Sequence, residues 1–100
     1  MKLLLITAIK EFEKNTKDIL NHSGVKSFSY QYVKGYKNES DGSSDNWFGA
    51  SHAEIDSVLF TVFIEEKFVE EIYRKVEVFN AKQKSLSHIH VATLPIEKSI

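Results

Sequence analysis

Runs of apolar residues alternate with amphipathic stretches along this chain, and two different periods can be read from them. Leu3 to Ile9 is a continuous apolar run with β-branched Ile6, Thr7 and Ile9, a length that predicts a buried strand. Phe12, Thr16, Ile19 and Leu20 then recur at helical spacing and predict a helix from about Lys14 to His22. Asn15 or Thr16 is its expected cap, Asp18 falls in its first turn, and Gly24 is its expected stop. Val25 to Lys34 alternates, with Phe28, Tyr30 and Tyr32 on one face and Ser27, Ser29 and Gln31 on the other, which predicts a second strand. Ser57 to Ile64 (SVLFTVFI) predicts a third, apolar on both faces. Glu65 and Glu66 open a second helix whose stripe is Phe68, Ile72, Val76 and Phe79, widened by Val69 and Tyr73. His88 to Leu94 predicts a fourth strand, stopped by Pro95.

The order is strand, helix, strand, strand, helix, strand. Two split βαβ halves in that order predict an α+β, ferredoxin-like single domain over residues 1–100, with an antiparallel four-stranded sheet and both helices on one face. Two helices leave the other face bare. The first and third strands are apolar on both sides and the second carries an aromatic row, so the bare face is expected to be covered by further copies of the chain.

Between the middle strands lies the stretch from Lys34 to Glu54, which holds Gly35, Gly42 and Gly49, three of the four glycines. A connection of this length in a small domain is usually functional. Its Trp47-Phe48 pair is a candidate anchor for a partner, since tryptophan is enriched at interface hot spots. Asp41 to Asp45 imitates the start of a calcium loop but lacks the glycine and glutamate that such a loop needs.

Composition narrows the classes. The chain has 100 residues, 42% apolar and 27% charged, with a net charge of −1, so no field draws it to nucleic acid or anionic lipid. It has no cysteine and therefore no disulfide or thiolate chemistry. The opening MKLLLITAI breaks at Lys10 without a cleavage site and is too short to cross a bilayer, so a cytoplasmic protein without membrane insertion is expected. No nucleophile, base and orienting group stand together in the pattern. Glu65, Glu66, Glu70 and Glu71 form a solvated helix face, and an enzyme is not expected. A catalytic ferredoxin-like oligomer is the weakest of the readings.

Several segments, in order and at near-constant spacing, resemble the PII signalling-protein superfamily. They are KLLLITAIKEF at the start, Gly24-Val25, Val33-Lys34-Gly35-Tyr36, Phe48-Gly49-Ala50, and Leu94-Pro95-Ile96-Glu97-Lys98-Ser99-Ile100 at the end. The resemblance implies a homotrimer of ferredoxin-like subunits. It implies a small ligand, usually an adenine nucleotide, held between subunits, and a long loop (residues 35–54 here) that docks on a transporter or enzyme. It also implies ligand-binding roles for Gly35, Tyr36 and Lys37 at the loop base, and for Lys82, Lys84, Ser85, Ser87 and His88 before the last strand. There the sequence departs from the family. Lys82, Ser85 and Ser87 stand where the family has glycines and His88 where it has lysine, which argues against ordinary ATP or ADP binding. An alternative that the resemblance also implies, since some PII-like proteins accompany heavy-metal efflux systems, is a metal-binding accessory protein linked to such efflux. His88 and His90, two apart on a strand and about 6.5–7 Å from each other, would share Zn²⁺, Cu²⁺ or Ni²⁺ with His52 or Glu54.

Overall fold

The computed structural model describes residues 1–38 and 52–100. The elements run β1 (Lys2–Ile9), a 3₁₀ turn (Lys10–Phe12), α1 (Glu13–Asn21), β2 (Ser29–Asn38), β3 (His52–Ile64), a second 3₁₀ turn (Glu66–Phe68), α2 (Val69–Ala81) and β4 (His90–Pro95). The strands form one antiparallel sheet in the order β2-β3-β1-β4, with both connections through helices, the ferredoxin-like arrangement expected from the pattern.

Alternation along the strands sorts their side chains. Leu4, Ile6 and Ala8 of β1 and Val58, Phe60, Val62 and Ile64 of β3 are buried on the helix side. Leu20 of α1 and Val69, Ile72 and Val76 of α2 close over them. The helices meet through Phe12 and Phe79, edge to face with centroids 4.9 Å apart.

The helix ends depart from the pattern. Thr16 does not cap α1; it is buried within the helix and its hydroxyl donates to the Phe12 carbonyl at 2.9 Å. The chain leaves α1 through Gly24, whose φ of +82° suits a residue without a Cβ. A Cβ there would also lie 2.9 Å from the Phe68 ring. The stretch from Val25 to Phe28 precedes β2 instead of belonging to it.

The expected loop from Lys34 to Glu54 is shorter than the pattern suggested. β2 continues to Asn38 and β3 already begins at His52, paired in register from Lys34 with Asp56 to Asn38 with His52. Ladder bonds come from the backbone, so Gly35 and the charged residues around it do not end the strand. Trp47, Phe48 and the segment from Asp41 to Asp45 lie outside the described residues. Among the described residues no helix is long and apolar enough to cross a membrane.

Candidate functional site

The aromatic row of β2 turns inward. Tyr30 pairs with Phe60 and Tyr32 with Val58, so both rings share the helix side of the sheet and do not belong to the bare face. β2 is an edge strand, and the rings remain exposed beside α1. Phe28, Tyr30 and Phe60 form a cluster with centroids 5.6–6.5 Å apart.

The bare face is nevertheless apolar. Leu3, Leu5 and Ile9 of β1 lie on it beside Leu59 and Phe63 of β3, Val33 of β2, and Ala92 and Leu94 of β4, as the ladders dictate. Phe63 is 59% exposed, Leu94 40% and Ile55 37%. Thr7, Ser29, Gln31, Ser57, Thr61 and His90 are polar positions among them.

Gly35, Tyr36 and Lys37 lie near the end of β2, and the segment from Lys82 to His88 leads into β4, so both groups reach the same end of the sheet. They stand at its opposite edges, with β3 and β1 between them, and one chain does not bring them together. Gly35 lies close against β3, where a Cβ would come within 3.0 Å of the Ser57 hydroxyl. In the segment before β4, Lys82, Lys84, Ser85 and His88 are exposed and Leu86 is 89% exposed. The Ser87 N–H donates to the Ser85 hydroxyl at 3.2 Å. Asn80, in the last turn of α2, donates to the Ile89 carbonyl at 2.9 Å and accepts the Ile89 N–H at 2.8 Å. That clamp fixes the entry to β4 and buries Ile89.

His88 lies before β4, not on it, and His90 pairs with Thr7 on the bare face. Glu54 pairs with Tyr36 and shares the opposite face with Asp56 and Val58, so within one chain the sheet separates Glu54 from His90. His52 begins β3 opposite Asn38. Among the described residues no group of three or more histidines and carboxylates gathers to hold a metal.

Two features were not visible in the pattern. A pocket of about 360 Å³ opens at the other end of the sheet, lined among others by Gly24, Lys26, Ser27, Phe63, Glu65 and Phe68. Beside the tyrosines, the Tyr32 hydroxyl donates to both oxygens of Glu13, at 2.9 and 3.1 Å. Lys17 pairs with the same carboxylate at 2.6 Å. The Lys17 and Tyr32 hydrogen bonds hold the Glu13 carboxyl below the usual range, and Glu13 in turn raises both Lys17 and Tyr32. Lys34 and Asp56 form a cross-strand pair at 2.6 Å that lowers Asp56 and raises Lys34.

No protein-family model and no curated protein matches this sequence. Solved structures do match it. One is CPII, a nitrogen regulatory PII-like protein from Thiomonas intermedia K12 bound to ADP, AMP and bicarbonate, with a TM-score of 0.63 at 16% identity, over 99% of this chain and 94% of that one. Another is a PII-like signalling protein from Thermus thermophilus, with a TM-score of 0.62 at 16% identity, over 93% of this chain and 83% of that one. The chain has the PII-like fold. At this identity the likeness rests on topology and shape, and the chemistry must be argued from the chain's own residues.

An adenine nucleotide is the group that this likeness brings to mind, and the residues before β4 do not fit its phosphates. A backbone cradle for phosphate needs a left-handed residue so that successive N–H groups converge. Gly24 has the only positive φ among the described residues, and it lies at the opposite end of the sheet from the 82–88 segment. The Ser87 N–H is already spent on Ser85.

Proposed function

We infer that this protein is a PII-like regulatory module, a homotrimer that senses a small ligand and reports through the segment between β2 and β3. The observation that carries the reading is the bare sheet face, where Leu3, Leu5, Leu59, Phe63 and Leu94 form an apolar surface that no helix or strand among the described residues covers. A large apolar patch marks an interface, and closed rotational symmetry is the usual way for copies of one chain to share such a face.

Assembly also supplies what one chain lacks. The ribbon base at Gly35, Tyr36 and Lys37 and the Lys82–His88 segment stand at opposite edges of the sheet. The pocket at Lys26, Ser27 and Phe63 lies at the far end. In this reading the ligand sits where such half-sites from neighbouring copies meet. It is held by the side chains of Lys82, Lys84, Ser85, Ser87 and His88, without a phosphate cradle, and no reaction follows. The loop with Trp47 and Phe48 docks on a transporter or enzyme.

Sedimentation of the wild-type chain at micromolar concentration tests the reading. Three chains moving together support it. A stable monomer removes both the shared cleft and the proposed function.

A further inference from the structure

β1 last pairs with β3 at Ser57, so the five pairs from Lys34 and Asp56 to Asn38 and His52 have no third strand beside them among the described residues. This two-stranded extension runs about 17 Å past the sheet, and an isolated ribbon of two strands is marginal in water. Its pose therefore depends on what grips its root.

The grip lies on the helix side. Tyr32 and Lys34 occupy consecutive positions on that face, paired with Val58 and Asp56. The Tyr32 hydroxyl reaches the Glu13 carboxylate at 2.9 Å, in the first turn of α1. The Lys10 ammonium lies 4.8 Å from the Tyr32 ring centroid, and its charge also acts on Asp56. Asp56 closes the path to Lys34 at 2.6 Å. The far side of the grip is fixed, because Phe12, between Lys10 and Glu13, packs edge to face on Phe79, and Thr16 is buried one turn on. Tyr32 itself is 56% exposed, so core burial does not explain its place.

The geometry points to a latch: Glu13, Lys10 and Tyr32 tie the entry of α1 to the root of the β2–β3 extension and so set the pose of that extension. A shift of the α1 entry moves the root, and a shift of the extension is felt at α1. The latch is internal to one chain and does not rest on the proposed trimer.

Hydrogen exchange of the full chain at pH 7 tests it, comparing wild type with Tyr32→Phe and Glu13→Gln. Tyr32→Phe keeps the ring and its contact with Lys10 and deletes only the hydroxyl. The ladder amides of residues 34–38 and 52–56 should exchange about five- to tenfold faster, the range expected for one solvent-exposed hydrogen bond of ordinary net strength. Amides of β1 and of residues 58–64 should stay as in wild type. Glu13→Gln, which keeps an acceptor but loses the charge, should fall between the two. The inference is overturned if the extension exchanges at the wild-type rate in Tyr32→Phe, or if exchange rises equally across the whole sheet.

Discussion

Replacing Phe63 by glutamate asks directly whether the bare sheet face is an interface. Phe63 is 59% exposed and faces Leu3 across the ladder, with Leu94 on the far side of β1. A phenylalanine presents about 200 Å², so roughly 120 Å² of it is available to a partner. Covering that area contributes about 3 kcal/mol per chain, or about 9 kcal/mol in a three-chain assembly. Such a loss lowers the trimer equilibrium constant by about a millionfold. That association constant has the dimension of inverse concentration squared, so the midpoint concentration rises about a thousandfold. A carboxylate forced into the interface adds a desolvation cost. Sedimentation at micromolar concentration should show three chains for wild type and single chains for Phe63→Glu, with unchanged far-ultraviolet circular dichroism because Phe63 is not in the core. Phe63→Ser, which adds no charge, should shift the midpoint in the same direction. If Phe63→Glu sediments as wild type does, this face is not where copies meet, and the energetic reasoning fails with it.

Other consequences follow from single contacts. Asn80→Ala removes both bonds to Ile89 and leaves its buried backbone groups unpaired, so urea denaturation should show a loss of about 2–4 kcal/mol. Gly24→Ala places a Cβ 2.9 Å from the Phe68 ring at a φ of +82°, and should destabilise the fold by more than about 1 kcal/mol in the same assay. Glu13 and Asp56 have lowered carboxyl ranges in the fold, so the support they give is present at neutral pH and is lost as pH falls through those lowered values. Hydrogen exchange of the extension, corrected for its intrinsic pH dependence, should accordingly be flat from pH 7 to about 5 and speed up below about pH 4. Calorimetry with ATP should give no saturable binding tighter than about 0.1 mM, that is about 5.5 kcal/mol; micromolar affinity would mean that the segment before β4 rearranges into a cradle.

The element order and most of the core could be read from periodicity, because Leu4, Ile6, Val58, Phe60 and Val62 alternate and Ile72 and Val76 recur one turn apart. Periodicity says which residues share a face but not which face meets the helices. That is why the tyrosines of β2 were expected on the bare side, until the register of Tyr30 with Phe60 placed them opposite. The extension was hidden for a different reason: its ladder is built by backbone groups beneath glycine and charged residues. The candidate site was less legible still. The Asn80 clamp joins residues nine apart and the Tyr32–Glu13 bond joins residues 19 apart. Neither spacing is a local signal, because helix and strand packing creates it.

The placement of glycine bears on what the segment before β4 can hold. A Cβ would lie 2.9 Å from the Phe68 ring at Gly24 and 3.0 Å from the Ser57 hydroxyl at Gly35. No glycine stands between Lys82 and His88. A ligand approaching that segment meets ammonium, hydroxyl and imidazole groups, not a convergent set of backbone N–H groups. Asn80 further opposes rearrangement, since opening the entry to β4 breaks two hydrogen bonds to the buried Ile89. Exposed lysines attract anions only as point charges, whereas a phosphoanhydride chain is gripped by several donors at fixed spacing. In the reading proposed above, these side chains favour a compact anion over a nucleoside triphosphate. The discriminating comparison is a titration of the same preparation with a small carboxylate and with ATP. Saturation by the carboxylate alone agrees with a segment that works through side chains; saturation by ATP alone contradicts it.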